Sequence, residues 1–126
     1  MRAAAVGCIN GEPMKFRVYF NDDKQFVIFH LADDVKAFRR KNQCWAYYIA
    51  ADERKQRRGL FGHIHLPTEK FVNMSELISH EVQHLVIDWV LCRKDGKLTP
   101  RNEERIATIT GEIVKRFWRE YERLGV

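Results

Sequence analysis

The chain predicts an α+β domain, a small antiparallel sheet followed by two long helices. Three observations point there. The first half holds short apolar or alternating runs punctuated by turn residues, which is how strands read. The second half holds two long apolar patterns of helical period. Strands first and helices afterwards is the order of an α+β fold rather than of alternating βαβ units. At 126 residues the chain is one domain, 1–126, with its sheet over about 14–66 and its helices over about 74–93 and 101–123.

Lys15-Phe16-Arg17-Val18-Tyr19-Phe20 alternates polar and apolar side chains, as a half-buried strand does. Asn21-Asp22-Asp23-Lys24 supplies turn chemistry and Phe26-Val27-Ile28-Phe29 returns, so the pair predicts a hairpin with a four- or five-residue loop. Ala32 to Arg40 is a short helix or an irregular connection. Trp45 to Ala50 predicts another strand, and Leu60-Phe61-Gly62-His63-Ile64-His65-Leu66 a further one stopped by Pro67.

The first long helix opens at Asn73, an N-cap residue with Glu76 three positions on as its capping-box partner. Leu77, Ile78, Val82, Leu85, Val86, Trp89 and Val90 recur near helical period, and Lys94-Asp95-Gly96-Lys97 ends the pattern with a turn. The second helix opens after Thr99-Pro100 and carries Ile106, Ile109, Ile113, Val114, Phe117, Trp118 and Tyr121 as its apolar stripe. Trp89 and Trp118 read as core.

Composition narrows the function classes. Hydrophobic content of 45% with 31% charged residues is ordinary for a water-soluble domain. No apolar run approaches a membrane span, and the opening Met1 to Cys8 is too short for a signal peptide's apolar core. Cys8, Cys44 and Cys92 are odd in number and far apart, which predicts neither a disulfide framework nor a cysteine zinc knuckle and fits a reduced cytoplasm. Net charge is +5, much of it in Glu53-Arg54-Lys55-Gln56-Arg57-Arg58, a run expected in a solvated loop. The sharper reading of that run is a phosphate-contacting patch, with Trp45, Tyr47 and Tyr48 as possible stacking partners.

Chemistry concentrates in Ser79-His80-Glu81-Val82-Gln83-His84-Leu85, where His-Glu-x-x-His sits inside the first long helix. Histidines four apart share one helix face, so both rings can reach one metal ion. The glutamate between them points to the flank, where it can hold a water without ligating the ion. This helix is apolar nearly all round and is expected in the middle of the domain. There an unpaired His80-Glu81-His84 trio would be costly to bury, and a metal would remove the cost. The alternative is a pair of satisfied core histidines beside a solvated glutamate.

A catalytic zinc needs a third ligand. On a 3.6-residue wheel Glu103 falls near the centre of the second helix's stripe and Glu104 near its edge, so Glu103 is the expected ligand with Glu104 the fallback. Both also suit an ordinary acidic first turn. Asp88, one turn after His84, either accepts from a ligand imidazole and fixes its tautomer or is simply exposed. His30 reads as a strand-end residue rather than a ligand.

His-Glu-x-x-His on one helix with Asn102-Glu103-Glu104-Arg105-Ile106 opening the next, and Phe117-Trp118 near its end, resembles the gluzincin metallopeptidases. Among them it is most similar to small single-domain zinc metallopeptidases of phages and prophages. The resemblance covers roughly the last fifty residues. It implies a minimal zincin-like domain with zinc held by His80, His84 and Glu103, Glu81 as general base, and a peptide or protein substrate. The doubled glutamate departs from an unambiguous match, since either member fits the motif.

In such enzymes an edge strand beside the metal helix pairs with extended substrate, and by resemblance Leu60 to Leu66 would be that strand. His63 and His65 share one strand face, where one of them could steady an oxyanion. The alternatives are surface histidines or a fourth ligand that closes the site. The competing function is a non-enzymatic phage accessory or nucleic-acid-binding protein with a structural metal. Oligomeric state is open.

Overall fold

The computed structural model describes residues 8–9, 12–32, 35–42, 46–68, 73–92 and 97–124. In chain order they form strands β1 (Cys8–Ile9), β2 (Glu12–Phe20) and β3 (Gln25–Ala32), helix α1 (Val35–Asn42), strand β4 (Tyr47–Ala50), helix α2 (Glu53–Arg57), strand β5 (Leu60–Pro67), and helices α3 (Met74–Leu91) and α4 (Pro100–Arg123). The opening residues read against a signal peptide, Trp45, Cys44 and the turn at Lys94-Asp95-Gly96 lie outside the described residues.

The α+β order holds, but the sheet is mixed rather than antiparallel. Its strands run β1-β2-β3-β5-β4. β2 and β3 form the expected antiparallel hairpin, with Phe16 opposite Phe29 and Val18 opposite Val27. β5 then inserts beside β3 in parallel, Phe29 opposite Ile64 and Leu31 opposite Leu66, and β4 closes the row antiparallel to β5. A parallel pair needs a long crossover, and the segment from α1 through α2 provides it.

The hairpin loop is the four residues Asn21 to Lys24, with φ of 56°, 55° and 62° at Asn21, Asp22 and Asp23. Asn and Asp tolerate this left-handed region better than other side chains. The basic run after Ala50 is not a loop. Asp52 caps a short helix by accepting from the Lys55 amide at 2.8 Å, and Glu53 to Arg57 follow as α2 with no buried residue.

Both long helices lie against one face of the sheet. α3 packs on β4 and β5, and α4 packs on β2 and along α3. Between the layers sit Val18, Phe20, Val27, Phe29, Leu31, Ile64 and Leu66 from the strands. Ile78, Val82, Leu85, Ile113 and Phe117 meet them from the helices. Asn73 caps α3 as expected, its Oδ1 accepting from the Glu76 amide at 3.1 Å. Thr99 does the same for α4, accepting from the Asn102 amide at 3.2 Å, with Pro100 in the first turn.

Gly62 lies opposite Ala50, where β5 leaves no room for a side chain against β4. A Cβ built there would lie 2.6 Å from Tyr48 Cε1 and 2.9 Å from the Ile49 carbonyl oxygen. Gly62→Ala is therefore expected to push β4 off the sheet and to destabilise the fold by about 1–3 kcal/mol. A denaturant midpoint unchanged by the substitution would contradict this packing.

Candidate metal centre

α3 presents His80 and His84 on its solvent side and Glu81 on its buried flank. The two imidazoles converge, with His80 Nε2 and His84 Nε2 3.1 Å apart and the rings nearly perpendicular at 80°. Two nitrogens bound to one tetrahedral zinc at 2.0–2.1 Å would lie roughly 3.3 Å apart, so the pair stands close to a chelating separation. Glu81 is only 7% exposed, and its Oε2 lies 3.9 Å from His80 Nε2. The helix spacing thus brings His80, Glu81 and His84 together, as the sequence predicts.

Burial does not call for a metal at the two histidines. α3 is not apolar all round: Ser75, Glu76, Ser79, His80, Gln83 and His84 are exposed, and of the trio only Glu81 is buried. The histidines sit opposite the line through Ile78, Val82, Leu85 and Trp89 that meets the core. No desolvation cost falls on them, and the case for a metal rests on the geometry of the nitrogens.

The third ligand does not assemble. Glu103 and Glu104 are both exposed, and Asn102 occupies the buried position instead at 8% exposure. The buried line of α4 runs through Asn102, Ile106, Ile113 and Phe117. Val114, Trp118 and Tyr121 are only partly buried, and counting them as core moves the apparent centre of the stripe toward Glu103. Glu104 borders an open groove with Asn21, Asp22 and Arg105. Among the described residues no three His, Cys, Asp or Glu side chains stand together as a metal-binding group.

Three further expectations change. Asp88 orients no histidine: it accepts from the Tyr48 hydroxyl at 2.7 Å and from Cys92 Sγ at 3.6 Å. Burial, then the Asp88 carboxylate, holds the Tyr48 phenol well above its ordinary range. β5 is not an edge strand, because β3 and β4 flank it; among the described residues β4 stands at that end of the row. His63 and His65 point to the sheet face away from α3, since their neighbours Ile64 and Leu66 face the core and successive strand residues alternate. They cannot reach the His80–His84 pair as oxyanion donor or fourth ligand.

Two relationships were not read from the sequence. Glu81 and Asp88 are seven apart and so share one side of α3; the Tyr48–Asp88 bond shows that this side faces β4. The buried carboxylate and β4 therefore lie on the same flank. His30, read alone, joins His63 and His65 on the outer sheet face, and Tyr47 stacks on His65 at 4.6 Å rather than standing free. The strand register, with His30 opposite His65, was the missing signal. No family model, no curated protein and no solved structure matches the chain.

Proposed function

We propose that the protein is a zinc-dependent, metallopeptidase-like hydrolase that cleaves peptide bonds with water. The observation that carries this reading is the convergence of His80 Nε2 and His84 Nε2 at 3.1 Å beside the buried carboxylate of Glu81. Those two imidazoles would hold the ion. A bound zinc would supply Lewis acidity toward water and the scissile carbonyl.

The chain's own residues do the rest. Glu81 takes the proton of the attacking water and returns it to the leaving amine, the work of a general base that becomes a general acid. Glu81 lies beside His80 on the flank of α3 that faces β4, which supports this role. An extended peptide can add to the outer edge of β4 through main-chain hydrogen bonds, which hold a backbone without demanding a sequence. β4 thus takes the substrate role that the resemblance gives to Leu60–Leu66.

Both histidines are exposed, so water and substrate can reach an ion held by the pair. The described residues supply two of the three protein ligands usual at a catalytic zinc, and Glu103 is not among them. A chelator such as 1,10-phenanthroline is expected to abolish hydrolysis of an unfolded protein substrate, and added zinc to restore it. Hydrolysis that persists after the metal has been stripped contradicts the proposal.

A further inference from the structure

On the sheet face away from α3, three imidazoles form one contact cluster. His30 Nε2 and His63 Nδ1 lie 2.9 Å apart, and His30 and His65 stack at 4.1 Å and 6°. Tyr47 stacks on the far side of His65 at 4.6 Å and 8°. His63 is tilted 40° to His30 and 35° to His65, so the three rings are not a single stack, and among the described residues they form no metal-binding group.

Lysines from three elements act on it. Lys15 is the β2 partner of His30, and Arg17 shares its strand face. Lys15 bears on His30 and His63, Lys55 of α2 on His63, and Lys41 of α1 on His65. The cations come from three elements, β2, α1 and α2. On the same face Tyr19 is 38% exposed, its hydroxyl accepting from Arg17 at 3.3 Å.

We propose that this outer face binds the phosphate backbone of single-stranded nucleic acid, with Lys15, Lys41 and Lys55 contacting phosphates and the His30–His63–His65 cluster taking up a proton on binding. Lysines on three elements match a chain of phosphates better than a single anion. Tyr19 offers one exposed ring on which a base can stack.

Proton uptake follows from the cluster's chemistry. Burial first, then the neighbouring imidazoles and lysines, holds His30 and His65 down at about 4, and burial with Lys55 and Lys15 lowers His63. His30 and His65, held that low, are neutral at pH 7 in the free protein. A phosphate beside them offsets the lysine charge and favours the imidazolium. A proton on the His30–His63 bond also makes that bond charge-assisted. Because the bound state holds more protons, affinity must rise as pH falls below 7.

The test is fluorescence anisotropy of a labelled oligothymidylate with the whole chain, at two salt concentrations and at pH 7.5 and 5.5. The proposal expects binding that tightens about threefold or more at the lower pH and weakens with salt. Lys15→Glu or Lys55→Glu should reduce the salt slope by about one unit. Replacing His30 and His65 by glutamine should leave binding at pH 7.5 and remove the tightening at pH 5.5. No binding at low salt overturns the proposal, as does a pH response that survives the glutamine variants. Inorganic phosphate bound as tightly as the oligonucleotide overturns the extended-strand assignment. Peptide hydrolysis is unaffected by these substitutions, so failure here and failure of the zinc reading are distinguishable.

Discussion

Glu81→Gln is expected to lower peptide hydrolysis at least about a hundredfold while leaving the fold and the zinc content unchanged. Glutamine keeps the shape of the side chain and its acceptor oxygen, but it cannot take a proton from water. Loss of a positioned general base typically costs 10²–10⁴ in rate. The residue is only 7% exposed, so the amide must also sit in the space that the carboxylate fills, which isosteric replacement allows. Steady-state hydrolysis and metal analysis of the same sample make the check. A variant that keeps wild-type activity removes Glu81 from the chemistry. One that loses zinc as well as activity would make Glu81 a ligand instead of a base.

Phe117→Ala is expected to be the most damaging core substitution, at about 3–5 kcal/mol. Phe117 is fully buried where α4 meets the sheet. Its ring centroid lies 4.7 Å from Phe29, 5.4 Å from Phe16, 5.2 Å from Trp118 and 5.7 Å from Tyr121. Truncation removes contacts with both strands of the hairpin and with the next turn of the helix, and four large rings cannot collapse into the hole together. Domains of this size are stable by about 5–15 kcal/mol, so the variant keeps little margin. Urea unfolding followed by tryptophan fluorescence gives the number. A loss below about 1 kcal/mol would show that α4 does not seat on β2 and β3 through this ring.

The elements were legible wherever a local signal decided them. Asn73 and Glu76, Thr99 and Pro100, and the Asn21–Lys24 turn mark boundaries by side chains that bond or shape the backbone beside them. The hairpin followed because its partners are neighbours in sequence. What could not be read was long-range pairing. β5 follows β4 in the chain yet lies inside it in the sheet, because a parallel partner for β3 lay beyond a crossover of α1, β4 and α2. One insertion put β4, not β5, at the end of the row. It also carried His63 and His65 to the face where His30 already stood.

The site divides along the same line. His80, Glu81 and His84 are held together by helix period, a local property, and the structure keeps them together. The third ligand depended on how two helices face each other. A wheel drawn from apolar residues cannot tell Phe117, fully buried, from Trp118, which is only partly buried. That difference turns α4 far enough to bury Asn102 and expose Glu103. Asn102 earns its inside position by donating from Nδ2 to the Lys97 carbonyl, which ties the helix start to its own lead-in loop.

The most direct measurement is calorimetric titration of zinc into the metal-free protein and into His80→Ala, His84→Ala and Glu103→Ala. The account predicts one zinc per chain, with affinity reduced at least about a hundredfold by either histidine change and within about threefold of wild type for Glu103→Ala. Wild-type protein that takes up no zinc, or a His84→Ala variant that binds it as tightly as wild type, would contradict it.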